Sequence, residues 1–484
     1  MKKLFLTLFT ILLFLYCNIS FAQTNKETPE NETKSEKIKT GWNFGVLPAI
    51  AYDTDLGFKY GVLLNTFYYG DGTRYPDYYR MFKTEISNTT KNSAIFQLFY
   101  DDKALLPNDV RLTADISYLP EQAVDFYGFN GNQSVYNVNW TDVNDSLYVS
   151  RMFYRQKRKI FRFTLDFQQF IKESNFKWLA GIGIWNFNNS TIDIDKLNKN
   201  KDEDKLLPEV DLLYDIYKKW NLISEREAKG GVNAYIKAGI IYDTRDLEAN
   251  PSKGMFSEAV IQFSPDFSKQ KGTENFSFIR LALTHRQYFT LIPNKLTAAY
   301  RIGYQGVLSG TVPYYVQPIM LNSFSPITIS EGLGGAKNIR GVLRNRIIGD
   351  HIAYGNVELR WRFVDFQFIN QNFYLTFAPF IDLGTVLGKM RENQIKKAVS
   401  QLELPVEERE EEFKGYYTSD STFVQYNKDD FFNTSSRADR LHMGYGAGLY
   451  LSMNHNFIIS LNYGKALLKN DGGGSLYINL GFIF

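Results

Sequence analysis

Cysteine is almost missing from this chain: its 484 residues include one, Cys17, so no intramolecular disulfide framework is available to hold it together. Histidine is nearly as scarce, with four copies, which leaves little material for a histidine-based metal site or catalytic relay. Long apolar runs are missing too. After the first two dozen residues no stretch approaches the ~20 consecutive apolar residues that a membrane-crossing helix needs. Neither sign of charge dominates: 55 Lys and Arg stand against 52 Asp and Glu, a formal net charge of +3, which gives no reason to look for a nucleic-acid partner. Aromatic residues, by contrast, are plentiful. They make up 16% of the chain, with 32 Tyr and 39 Phe, while mean hydropathy is only -0.29. Many aromatics with modest hydropathy suit strands that show lipid only at every second residue and carry aromatic girdles at the two interfaces.

The opening residues read as a targeting signal. Lys2 and Lys3 precede an apolar stretch from Leu4 to Tyr16, and Ser20-Phe21-Ala22 forms a small-x-small cleavage site before Gln23, the layout of a secretory signal. Residues 1–22 are therefore expected to be removed, and Cys17 with them. Residues 23–40 are polar, rich in Glu, Lys, Thr and Asn, and have no core-forming side chains; they are expected to be a disordered periplasmic tail. The barrel is expected to occupy residues 41–484.

The last nine residues carry the clearest strand signal. Leu476, Ile478, Leu480, Phe482 and Phe484 alternate with Tyr477, Asn479, Gly481 and Ile483, so the first set is expected to face lipid and the second, Ile483 fitting least well, the lumen. Similar alternation recurs throughout. Phe161, Phe163, Leu165 and Phe167 alternate with Arg162, Thr164, Asp166 and Gln168, and Met443, Tyr445, Ala447, Leu449 and Leu451 with Gly444, Gly446, Gly448, Tyr450 and Ser452. Sixteen such segments fall near 43–52, 56–68, 79–89, 92–102, 109–119, 158–171, 175–188, 231–243, 252–264, 272–289, 293–307, 350–363, 372–386, 441–453, 455–464 and 475–484. This predicts an all-β protein, a sixteen-stranded antiparallel transmembrane β-barrel of the bacterial outer membrane. With both ends in the periplasm, the very long connections 120–157, 189–230, 308–349 and 387–440 all follow odd-numbered strands and so lie outside the cell. Short turns follow the even-numbered strands. Long external loops and short periplasmic turns are the asymmetry of such barrels.

Catalytic chemistry finds no footing. His285 continues an outward-facing row, His442 begins a strand, His455 lies at a turn and His351 follows a long loop, so no triad or metal cluster is legible and neither an enzyme, a metal nor a cofactor is expected. The acidic run Glu407–Glu412 reads as a solvated helical face. Alternation on the thirteenth segment sends Phe380 and Asp382 into the lumen. Arg340, within the glycine-rich stretch 333–341, sits on a loop able to fold into a wide lumen. A bidentate Arg340–Asp382 pair would offset the entropy of ordering that loop. Spacing alone supports equally a general lumenal charge lattice containing Glu358, Arg360 and Arg362. The first strand carries Phe44, Gly45 and Pro48, and Pro48 brings no N–H to a ladder; the last carries Leu480, Gly481 and Phe484. A weak lateral seam and an ordinary proline in a curved strand are both compatible with that composition.

Three segments carry a family resemblance. Leu333 to Gly341, with Ile339-Arg340-Gly341, resembles the Arg-Gly loop of BamA/TamA-type barrels, the eighty-five-kilodalton outer-membrane-protein superfamily also called bacterial surface antigen barrels. Phe380-Ile381-Asp382-Leu383-Gly384 is similar to that family's Phe-x-Asp-x-Gly motif, and Asn356 to Arg360, Asp243 to Asp246 and Asn250 to Gly254 are similar to further family patterns. The resemblance implies that Arg340 pairs with Asp382, that the first and last strands part to admit a client strand, and that the protein works in insertion, assembly or translocation of proteins at the outer membrane. It implies as partners outer-membrane lipids, outer-membrane protein clients and a periplasmic or lipoprotein accessory. Two departures stand out. Val342 occupies the place after Arg-Gly where the family usually has an aromatic, and residues 23–40 are too few to encode a polypeptide-transport-associated (POTRA) domain, so the chain reads as a POTRA-less member. A passive channel or receptor is the alternative, to which glycine-rich lumenal faces and acidic loops are also suited.

Overall fold

The computed structural model describes residues 38–484 apart from breaks at 54–56, 76, 91–92, 107–108, 200–201, 204–205, 249, 270–271, 273, 324–330, 369–370, 418–422, 436 and 454–456. The expected signal and most of the expected tail lie outside the described residues. Sixteen antiparallel strands close into one barrel. The first, β1, comes in two pieces, Trp42–Pro48 and Ala51–Asp53. It is followed by β2 Gly57–Tyr68, β3 Arg80–Thr89, β4 Ala94–Leu106, β5 Val110–Asp125, β6 Arg155–Phe170, β7 Phe176–Ser190 and β8 Gly230–Asp243. The second half comprises β9 Gly254–Ser264, β10 Phe278–Ile292, β11 Leu296–Gly310, β12 His351–Phe368, β13 Gln371–Gly388, β14 His442–Met453, β15 Phe457–Ala466 and β16 Gly474–Leu480.

Each strand pairs with its sequence neighbour, and alternation places its side chains. On β6, Phe161 and Phe163 are exposed on the outer wall while Arg162 and Thr164 are buried inside. That is the arrangement of strands solvated by hydrocarbon on one face and by protein on the other. No described helix is long and apolar enough to cross a membrane. The predicted strand number and loop asymmetry match the fold, and the chief differences are at strand ends. β5 runs on to Asp125 rather than stopping at 119, because the end of the strand pairs with Arg155 and Gln156 past a bulge.

The first and last strands depart most from expectation. β1 breaks after Pro48, yet both pieces keep one register on β2, with Pro48 opposite Val62 and Ala51 opposite Lys59. β16 stops at Leu480. Gly481 adopts φ 84°, a left-handed conformation suited to glycine, and the following residues leave the wall. Phe484 is therefore buried inside the barrel instead of facing lipid at the seam, and Phe482 stacks on lumenal Tyr450 with ring centroids 4.4 Å apart. The alternation in 481–484 satisfies a strand, but aromatic and cationic partners inside the lumen draw these residues inward.

The external loops pack into an apolar cap of their own. Helix Leu213–Lys219 buries Leu213, Tyr214, Ile216 and Tyr217. Around it lie Phe126 and Phe129 from the 126–154 loop, Tyr314 and Tyr315 from the 311–350 loop, and Phe413, Phe431 and Phe432 from the 389–441 loop. Trp220, just after that helix, ties its own loop to the 389–441 loop, stacking on Phe413 at 5.2 Å and meeting Phe431 edge-on at 4.8 Å. Below the cap the lumen is filled by paired charges, among them Arg162 with Asp115 at 2.6 Å, both almost fully buried. Leaving one charge of such a pair alone costs roughly 3–5 kcal/mol, whereas replacing both with apolar groups is often close to neutral. Asp115→Leu is thus expected to lower the urea midpoint of unfolding, and Asp115→Leu with Arg162→Met to recover most of the loss.

Candidate functional site

The 311–350 loop enters the barrel between strands that carry little side chain. Gly384 on β13, Gly444 on β14 and Gly464 on β15 line its path. A Cβ on Gly384 would lie 2.4 Å from the Ile339 Cδ1 atom, one on Gly444 would lie 1.9 Å from the Arg340 carbonyl oxygen, and one on Gly464 would lie 2.8 Å from the Gly341 nitrogen. Only glycine lets the loop backbone come so close to the wall. Gly341 itself has φ 92°, and a side chain there would collide with the Lys465 backbone. Apolar packing secures the loop's flanks. Leu333, Ile339, Val342 and Ile347 are fully buried with Ile352, Val386 and Ala466. Val342 belongs to this packing, and the aromatic contact to Arg340 comes instead from Phe380, whose ring centroid is 3.3 Å from the guanidinium carbon.

The glycine cleft delivers Arg340 to a fully buried acidic pair. Its Nε donates to Asp382 Oδ2 at 2.8 Å and its Nη2 to Asp382 Oδ1 at 3.0 Å. Its backbone N–H adds a third bond to the same carboxylate at 3.0 Å. Nη1 donates to Glu358 Oε1 at 2.7 Å and to Asn462 Oδ1 at 3.2 Å. Burial by itself disfavours the charged guanidinium, but the Asp382 and Glu358 carboxylates outweigh it and push the Arg340 pKa up. The planar fork explains why arginine is required, since one ammonium could not serve two carboxylates at these angles.

The sequence-predicted residues separate into two groups here. Ile339, Arg340, Gly341, Glu358, Phe380, Asp382 and Gly384 are brought together, and Arg360 joins them by donating to Glu358 Oε2 at 2.9 Å. Arg362 stands apart, 4.2 Å over the Tyr374 ring and paired with Asp365. The Asp243-to-Gly254 segment is also separate: Arg245 Nε pairs with Asp243 at 2.9 Å within a periplasmic turn. Other participants had no contact assigned to them from the sequence. Asn356, named there only as part of a family-like segment, donates from Nδ2 to Asp382 Oδ1 at 2.8 Å and to the Asn338 carbonyl at 2.5 Å, and its lumenal parity with Glu358 is the signal that could have placed it. The alternating glycines of β14 could have marked the cleft. Tyr477 on β16 bonds the Gly341 N–H at 3.1 Å, a contact between distant segments that no local pattern encodes.

Tyr477 also belongs to the seam. β16 meets β1 through two residue pairs, Tyr477 with Asp53 and Ile478 with Tyr52. On its other side β16 pairs with β15 over seven residues, Gly474 to Leu480. The stretch Trp42–Pro48 pairs with β2, and among the described residues it has no ladder partner on its opposite edge. Phe44, Val46 and Pro48 are exposed there, Phe44 at 74%.

One further polar group faces outward. Ser257 Oγ lies 2.7 Å from His285 Nδ1, His285 Nε2 lies 3.1 Å from the Tyr300 hydroxyl, and that hydroxyl donates to Gln287 at 2.8 Å. The second ring nitrogen meets a phenol rather than a carboxylate. Flanking N–H groups on β9, β10 and β11 serve the ladder, leaving a Ser–His contact without a charged orienting group or oxyanion donors.

Residues 81–484 match the Omp85 superfamily domain. The chain belongs to the Omp85 superfamily. This places the barrel among outer-membrane proteins of the Omp85 type. The structure of BamA from Haemophilus ducreyi lacking POTRA domains 1–3 is similar in fold, with a TM-score of 0.50 and 13% identity over 92% of this chain and 70% of that one. CdiB from Escherichia coli gives a TM-score of 0.48 at 11% identity, covering 90% of this chain and 63% of its own. CdiB from Acinetobacter baumannii gives 0.43 at 14% identity, covering 92% and 60%. No curated protein matches the sequence.

For this Omp85 barrel the seated loop depends on the cleft and the ion cluster together. Gly444→Ala is expected to unseat the loop without disturbing the ladder, giving rapid proteolysis within 311–350 in intact cells while the barrel keeps its heat-modifiable mobility. Arg340→Ala and Asp382→Ala are each expected to do the same, and Arg340→Asp with Asp382→Arg to recover part of the protection. Parental protease resistance in both alanine variants would show that the pair does not hold the loop.

Proposed function

We propose that this Omp85 barrel inserts, assembles or translocates proteins at the outer membrane by lending the free edge of β1 to an incoming client strand. The observation that carries the reading is the seam: two residue pairs join β16 to a first strand whose initial seven-residue stretch has no ladder partner on that edge among the described residues. Unpaired backbone groups facing hydrocarbon are costly, and a strand edge is a template for another strand. An extended client segment would supply the missing hydrogen bonds. Pro48, with no N–H of its own, keeps β16 from sealing that edge fully.

The seated loop plays the supporting part. It contacts β16 through Tyr477 and holds the neighbouring wall in shape while the seam opens, with Arg340 as its anchor. Clients are delivered by a periplasmic or lipoprotein accessory partner. The work is mechanical rather than enzymatic and needs no cofactor. Against a passive channel stands the aromatic cap, which covers the external mouth with four loops packed on one another, together with a lumen crossed by a buried loop.

A cross-link at the seam tests the reading. With Tyr52→Cys and Ile478→Cys, directly paired across the seam, oxidation is expected to abolish client assembly in reconstituted vesicles, and reduction to restore it, with the barrel folded throughout. Undiminished assembly by fully cross-linked protein would exclude lateral opening. Conductance of the parent in planar bilayers is expected to be negligible, in contrast to an open pore.

A further inference from the structure

Residues 481–484 have two places to go, and two arginines decide between them. In the structure they turn into the lumen at Gly481, whose N–H bonds the Ile458 carbonyl at 2.8 Å. Inside, Arg360 lies 4.0 Å over the Phe482 ring and 5.2 Å over the Phe484 ring, and its Nη2 donates to the Phe484 main-chain oxygen at 2.9 Å. Arg301 lies 5.2 Å over Phe484 from β11, and its Nη1 donates to the Ile483 carbonyl at 3.4 Å.

The same arginines hold the loop. Arg301 Nη2 donates to the Lys337 carbonyl at 3.1 Å, and its Nε to Asn356 Oδ1 at 2.8 Å. Asn356 in turn bonds Asn338 and Asp382. Arg360 is linked to Arg340 by one carboxylate, Glu358, whose two oxygens accept from the two guanidinium groups at 2.7 and 2.9 Å. Each arginine therefore connects the loop to the inturned residues, directly or through one intermediary, using the several donors of a single rigid fork.

The competing place is fixed by register. Continuing the seam ladder from Tyr477 opposite Asp53 and Ile478 opposite Tyr52 sets Gly481 opposite Ala49, Phe482 opposite Pro48, Ile483 opposite Leu47 and Phe484 opposite Val46. Val46 and Pro48 are exposed on the outer wall. In that extension Phe482 and Phe484 would face lipid beside them, as the parity of Leu476, Ile478 and Leu480 requires. The sequence thus encodes a strand that the folded chain interrupts.

We infer that Arg301 and Arg360 are positioning residues that make loop seating and the inward turn of 481–484 a single cooperative state. With the loop seated, the seam is held to two residue pairs and the β1 edge stays free. When the loop withdraws, Arg340 leaves Glu358, Lys337 leaves Arg301, and 481–484 are released to pair along β1, lengthening the seam to eight pairs from Tyr477 to Phe484. The loop would then regulate whether an edge is on offer. That regulatory meaning rests on the client-strand reading of the seam, whereas the link between the loop and 481–484 does not.

Client-free protein in lipid vesicles allows the link to be tested by itself. In a variant carrying Leu47→Cys and Ile483→Cys, which oppose one another only in the extended register, disulfide formation under an added oxidant is expected to be slow. Adding Arg301→Gln with Arg360→Gln should accelerate it about tenfold, within the ordinary range of coupling between sites. Adding Arg340→Ala instead, a change that touches none of residues 481–484, should accelerate it by a similar factor. Glu358→Gln, which cuts the relay but spares the loop's backbone contacts, should give an intermediate rate. Heat-modifiable mobility establishes that each variant is folded. An Arg340→Ala loop that becomes protease-sensitive while cross-linking stays at the parental rate would overturn the coupling, and no cross-linking in any background would overturn the extended state. Accelerated cross-linking in a protein whose client assembly is indifferent to the cross-link would support the coupling and remove its role at the seam.

Discussion

A buried guanidinium shared by two carboxylates is the constraint on which the interior of this barrel turns. Asp382 and Glu358 sit on adjacent strands and face inward, where without a cation they would repel one another in a poorly solvated space. Arg360 reaches Glu358 from the wall, but the cation shared with Asp382 is Arg340. It comes from an external loop that has to travel into the lumen. The glycines of β13, β14 and β15, the left-handed turn at Gly341 and the apolar packing of Ile339 and Val342 are all consequences of bringing one backbone segment to that spot. The wall is thinned where the loop must pass.

How much of this was legible in the sequence follows from the range of the interactions. Strand number, orientation and the external position of the long loops were readable because a two-residue period and a parity rule are local properties. Asp382 and Arg340 were readable as a possible pair because parity fixed one and glycine content freed the other. The inward turn at Gly481 was not. Residues 482–484 carry the alternation of a strand, and the forces that override it come from Arg301, Arg360, Tyr450 and Tyr288, whose ring centroid lies 6.4 Å from that of Phe484, spread over four different strands. The break at 49–50 was half visible: Pro48 announced a weak point, but the unchanged register on either side of it depends on β2. The aromatic abundance was correctly assigned to a membrane protein, yet much of it lies in the external cap, where ordinary core packing operates in water.

The family match covers residues 81–484, which exclude β1 and β2; the two-pair junction joins β16, inside the match, to β1, outside it. The loop is held from both sides of the barrel: β12 and β13 carry its acidic pair, while Arg158 on β6 pairs with Glu331 and Lys237 on β8 donates to the Asn322 carbonyl at 3.1 Å.

The cap carries a consequence for the order in which the molecule is made. Ser134 and Phe432 form a backbone bridge across the cap, and Asn130 bonds the Met390 carbonyl at 2.9 Å over a sequence separation of 260 residues. Contacts so distant bear a heavy loop-closure cost until the strands between them are already aligned. Their aromatic partners therefore stay apart, and exposed, for as long as the cylinder is incomplete. Condensation of the cap becomes a late event that only a nearly finished cylinder permits, a molecular signature on the outer face that the wall beneath has been assembled in full.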